Sequence, residues 1–137
     1  MNRRDFRRLA ELRLADAHAL LAIRRYAAAY YLAGYAVECG LKACIARQFR
    51  LYEFPPNDAN KLYTHRLDVL GQHERLAGAL DVQKQSVPGF ASNWSVVIVW
   101  REDSRYTYDW SRDEAERLLT AITQVPDGVM EWIRQLW

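Results

Sequence analysis

The chain is poor in the residues that staple, break or loosen a fold: 2 cysteines, 4 prolines and 6 glycines among 137 residues. Cys39 and Cys44 fall on one predicted helix at a spacing that points them to different faces, so they cannot bridge each other locally. No CxxC pair or His-rich cluster accompanies them, so no metal site is expected and a reduced, cytoplasmic chain is the simplest reading. Scarce glycine and proline favour long periodic segments over a loop-rich sandwich. In the most apolar segment the longest uncharged run is Tyr26 to Val37, well short of the roughly 20 residues that span a bilayer, which predicts a buried core helix and no membrane contact. The start, Met-Asn-Arg-Arg, has no apolar signal core, so export is not expected. No Gly-rich phosphate loop, metal constellation, Ser/His/Asp or Cys/His arrangement is legible, so nucleotide hydrolysis has no support and no cofactor is expected.

What is present is globular composition, 50% hydrophobic and 26% charged, in a length that makes one domain over 1–137 with a core of its own. The net charge of +2 is unevenly spread. Residues 1–25 carry seven arginines against three acids, whereas residues 67–137 carry eleven acids against seven bases. A basic front and an acidic rear fit an anion on one side, and equally fit helices packed head to tail.

Apolar periodicity predicts a first helix over about Asp5–Arg25, with Arg3, Arg4, Arg7, Arg8 and Arg13 on its outer side. Arginines in a first turn oppose the helix dipole, which calls for a neighbouring acid or a partner. The second helix, about Ala27–Phe49, is apolar nearly all round and belongs in the middle of a bundle. Gly34 and Gly40 there predict close approach of a neighbouring helix, and Glu38 and Lys42 are spaced to pair. Arg50–Tyr63, with Pro55-Pro56, reads as a loop. Thr64 reads as an N-cap for a helix running past Leu67 and Leu70 toward Leu80, with Gly71 and Gly78 as weak points. Phe90–Trp100 is rich in β-branched residues, but no second strand exists to pair with it, so it is read as a helix buried on most sides. Ser111 and Glu114 form a capping box opening the last helix, which Pro126 and Gly128 should kink or divide. The expected fold is all-α, an antiparallel bundle of four to five helices.

The string Tyr30-Tyr31-Leu32-Ala33-Gly34-Tyr35-Ala36-Val37-Glu38-Cys39-Gly40-Leu41-Lys42-Ala43 resembles the second-helix signature of HEPN domains. The first helix, Thr64-His65, and Trp94, Trp100 and Arg105-Tyr106 ahead of the last helix fit the same pattern, so the resemblance covers nearly the whole chain. It implies a helical bundle that usually dimerises. Many members are metal-independent ribonucleases, often toxins beside a small nucleotidyltransferase-like antitoxin, while others have lost catalysis and serve as binding or dimerisation modules. The family's catalytic motif is Arg, four to six residues, then His, with two copies facing across a dimer. Here only Arg66 and His73 meet that spacing. An Arg can clamp a phosphate and a His can move a proton at a ribose hydroxyl or leaving oxygen. The pair lies mid-chain where the family's motif lies late, Leu67 follows the arginine where a polar residue is usual, and Arg101 and Arg105 have no His after them. On one continuous helix Arg66 and His73 would stand about 10 Å apart along the axis, an awkward separation for one phosphate.

The remaining candidates each have a plainer reading. His65 and Arg105 are the alternate acid/base and phosphate-binding residues, and His65 at a helix start is otherwise a structural hydrogen-bonder. His18 is expected to pack or be partly exposed without a site role. Trp94, Trp100, Tyr106, Tyr108 and Trp110 could stack bases, but aromatics at such spacing belong more often to a core or dimer interface. Arg101 and Arg105 sit among Glu102, Asp103 and Asp109, where local ion pairing is the plain expectation. The first expectation is therefore a module with a degenerate motif that homodimerises through faces carrying the tryptophans. It would act with a nucleotidyltransferase-like antitoxin or bind RNA or a nucleotide. A metal-independent endoribonuclease and a purely structural interaction bundle are the alternatives.

Overall fold

A computed structural model describes residues 1–47 and 63–137; the expected loop and the end of the second helix at Phe49 lie outside the described residues. The first helix, α1 (Arg3–Ala22), starts on a cap the sequence reading missed. The Asn2 side chain accepts from the Asp5 N–H and the Asp5 carboxylate accepts from the Asn2 N–H, both at 3.0 Å. Asp5 is also the acid that offsets the arginines of the first turn. A three-residue link, 23–25, with Arg24 in the left-handed region at φ 64°, returns the chain into α2 (Tyr26–Ala46), which packs along α1 as an antiparallel hairpin.

The centre of the fold is α2, which packs along α1 and against most of the elements described below. It is buried from Ala29 to Ile45 apart from the half-buried side chains of Tyr31, Leu32 and Tyr35, because its sequence offers apolar atoms on nearly every face. Gly40 admits a neighbouring helix as expected, a Cβ there sitting 2.9 Å from Ile133, whereas at Gly34 the close neighbour is the Trp100 indole from a connection and not a helix. The Cys44 thiol donates to the Ile133 carbonyl at 3.5 Å, and Arg47 donates to the Leu136 carbonyl at 2.9 Å, a cation at the negative end of the last helix.

The helix expected from Thr64 is two short ones, α3 (Leu67–Gly71) and α4 (Ala77–Ser86). Thr64 does not cap it; its hydroxyl accepts from the Arg66 N–H at 3.1 Å, and Arg66 takes the cap position. The break after Gly71 lets that residue lie against the Trp94 ring while Leu76 turns into the core. The next helix is α5 (Phe90–Val97), helical as expected but buried on one face only, through Phe90, Trp94 and Val97. A short 3-10 helix (Glu102–Tyr106) occupies the aromatic connection. The last expected helix divides at Pro126 into α6 (Arg112–Thr123), opened by the Ser111–Glu114 capping box, and α7 (Val129–Leu136). The fold is all-α, with seven α-helical segments among the described residues where four or five were expected, because both the third and the last were split.

Three of the five tryptophans lie in the core of the chain. Trp94, Trp100 and Trp132 are at most 3% exposed, and Phe90, Trp94 and Trp132 pack ring to ring inside one chain. Among the described residues no helix is long and apolar enough to cross a membrane.

Candidate functional site

Spacings of four, three and four residues align Tyr31, Tyr35, Glu38 and Lys42 on one stripe of α2. The Tyr31 and Tyr35 rings lie parallel, 6.2 Å apart. Glu38 is only 2% exposed, a burial that a carboxylate tolerates only with partners. Its Oε1 accepts from Lys42 Nζ at 2.7 Å, as the spacing predicted, and also bonds His65 Nδ1 at 2.9 Å. Its Oε2 is buried and has no hydrogen-bond partner among the described residues.

His65 is half-exposed and stands in the segment before α3, bridging two carboxylates. Its Nε2 lies 3.0 Å from Glu102 Oε2. A carboxylate oxygen can only accept, so both contacts are hydrogen bonds only when both ring nitrogens carry protons; a neutral ring donates one. In a 3-10 helix residues three apart eclipse, which sets Arg105 beside Glu102. The Arg105 guanidinium lies over the Tyr106 ring at 4.9 Å, and hydrogen bonds to Tyr106 and then Tyr31 hold its pKa up. One strip therefore runs from Arg105 and Tyr31 through Glu102, His65 and Glu38 to Lys42. Burial, and then the Cys39 thiol beside it, push the Tyr35 phenol up to about 12; burial and the charge of Glu38 push Cys39 up to about 11.

Arg66 and His73 are set at opposite ends of α3 in unlike surroundings. Arg66 is exposed, and its guanidinium grips Asp68 through Nε at 3.2 Å and Nη2 at 2.7 Å, which raises its own pKa and lowers that of Asp68. His73 is 5% exposed, and its Nδ1 accepts from the Arg75 N–H at 3.2 Å, so in the neutral ring the proton is on Nε2. It borders an open cleft of about 680 Å³ with Asp68, Lys84 and Trp94. The structure thus joins His65 to Glu38 and brings Arg105 onto the same strip.

Sequence reasoning missed Glu102 as the second partner of His65, because nothing local links residues 37 apart in the chain. The local ion pairs expected for Arg101 and Arg105 are replaced: Arg101 donates to the Ile98 and Trp100 carbonyls, and Arg105 turns to tyrosines. His18 is exposed on α1. Among the described residues no group of His, Cys, Asp and Glu is placed to hold a metal ion. Comparison with protein-family models, with curated proteins and with solved structures gives no match to this chain.

Proposed function

We propose that this chain is a HEPN-like helical module that binds RNA or a nucleotide through the His65–Arg105 strip and does not cleave through Arg66 and His73. In this reading it dimerises and works beside a partner such as a nucleotidyltransferase-like antitoxin, in the cytoplasm, where free buried Cys39 and Cys44 are at home. The observation that carries the reading is the burial of His73 beyond one end of α3 while Arg66 spends its guanidinium on Asp68 at the other. A proton carrier must come within hydrogen-bond reach of its substrate, and geometry precedes pKa. The strip offers what binding needs instead: an exposed guanidinium at Arg105, a half-exposed imidazole, and exposed Tyr106 beside them.

A second reading, a metal-independent endoribonuclease, is favoured by one feature: the buried Glu38 carboxylate aligns the His65 ring. His65 would take the proton of a ribose hydroxyl, and Arg105 would hold the phosphate.

The test is fluorescence anisotropy of a labelled RNA against salt, and its cleavage in chelator, for the wild type, His65→Ala, Arg105→Ala and His73→Ala. Salt-sensitive binding weakened by the first two variants, with no cutting by any protein, is the expected result. Cutting abolished by His65→Ala makes it the enzyme of the second reading. Cutting abolished by His73→Ala restores the mid-chain motif. Absence of RNA and nucleotide binding leaves the structural bundle.

A further inference from the structure

Away from the His65 strip, a cleft of about 580 Å³ opens between α5 and α6. Its size is that of small-molecule sites. One wall is aromatic and already ordered: the Trp110 ring stacks on Tyr30 at 3.9 Å with 12° between planes. Val96 and Val99 add apolar lining, the latter 66% exposed. An exposed valine beside an open aromatic wall is apolar surface that the fold leaves uncovered.

Two charged side chains of the cleft keep polar atoms free of any partner among the described residues. Glu114 and Arg117 lie three residues apart on α6 and line the same space, yet no ion pair joins them. Glu114 Oε2 accepts from the Ser111 N–H in the capping box, which leaves Oε1 to spare. Arg117 has no hydrogen bond or ion pair among the described residues, although Arg112 on the same helix finds Glu116 at 2.7 Å. Tyr30 is buried, its pKa is raised by that burial and by the charge of Glu114, and its hydroxyl makes no hydrogen bond among the described residues. A cation, an anion and a neutral phenol thus converge on a cleft with an aromatic wall.

We propose that this cleft binds a small aromatic zwitterion, of the class of the aromatic amino acids. The ring would lie between Trp110 and the two valines. The carboxylate would meet the Arg117 fork, and the ammonium would meet Glu114. Side chains three apart on a helix start about 5–6 Å from each other, close enough to reach two charged groups borne on one carbon.

Titration calorimetry with L-phenylalanine, phenethylamine and 3-phenylpropionate tests the site, because the last two each lack one charge. Phenylalanine is expected to bind the wild type about tenfold more tightly than either, the worth of one charge-assisted hydrogen bond. Arg117→Gln should abolish its advantage over phenethylamine, and Glu114→Gln its advantage over phenylpropionate. Gln still serves in a capping box, so the second variant stays folded. Circular dichroism of both variants checks that. Equal binding of all three probes, no binding at about 10 mM, a range where even weak sites fill, or tighter binding of adenosine monophosphate than of phenylalanine would each overturn the proposal. RNA binding by the His65 strip is measured separately and is expected to be unchanged in both variants.

Discussion

Lys42 and Glu38 form the most buried ion pair of the described residues, with side chains 10% and 3% exposed. Removing one partner leaves the other charge buried and uncompensated, so Lys42→Met should destabilise the chain by about 3 kcal/mol, while Glu38→Met/Lys42→Met should be more stable than that single variant. Urea titration of the two singles and the double measures the coupling, and additive losses would refute it. Glycines give the second residue-scale prediction. Gly34→Ala drives a methyl into the Trp100 indole and should cost about 2 kcal/mol or more, whereas Gly78→Ala meets nothing within 4 Å and should gain about 0.5–1 kcal/mol from helix propensity. Opposite shifts in thermal midpoint check the pair. The Glu38–Lys42 contact was legible in the sequence because it follows from spacing on one helix. The His65 bridge was not, since its partners stand 27 residues before it on α2 and beyond three further helices at Glu102.

Elements were most legible where their signals are local. The Ser111–Glu114 box, read from four residues, is present with both bonds, 3.1 and 2.9 Å. Ser111→Ala should therefore lower stability by about 1 kcal/mol, and Ser111→Asp should restore most of it, both read as urea midpoints. Equal losses in both variants would mean that Ser111 acts other than as a cap. The same spacing holds at Asn2 and Asp5, whose box caps the first helix amid its arginines. Phe90–Trp100 has the β-branched composition of a strand but no second strand to pair with, and Phe90–Val97 of it is helical. The split between α3 and α4 was only half legible. Gly71 marks a weak point, but the decision to break there comes from the Trp94 ring against it, a contact made by a residue 23 positions on.

At the scale of the molecule, the buried or half-buried groups include, besides the Glu38–Lys42 pair, weak acids whose neutral form burial favours. Cys39 and Cys44 are 2% and 4% exposed. Desolvation first, and for Cys39 the charge of Glu38 next, hold their thiols at about 11 and about 12; Tyr35 is likewise pushed up to about 12, and Tyr30 is raised. In the unfolded chain thiols ionise from about pH 8.5 and phenols from about pH 10. Above those values the unfolded state sheds protons that the folded state keeps, so the free energy of unfolding falls as pH rises. The contribution is whole below about pH 8.5 and is lost as pH climbs through the folded values, with the thiols acting first. At pH 10 the loss should be on the order of 2 kcal/mol for each buried thiol, taken as the part of the shift already traversed. Urea unfolding at pH 7.5, 9 and 10 reads the slope, and Cys39→Ala/Cys44→Ala should flatten it between pH 8.5 and 10 whatever the substitutions do to the absolute stability. The same burial should keep both thiols silent to iodoacetamide in the native chain at pH 8 and reactive in urea. A slope unchanged in the double variant would mean that the alkaline loss comes from the tyrosines or from charge repulsion across the acidic half of the chain.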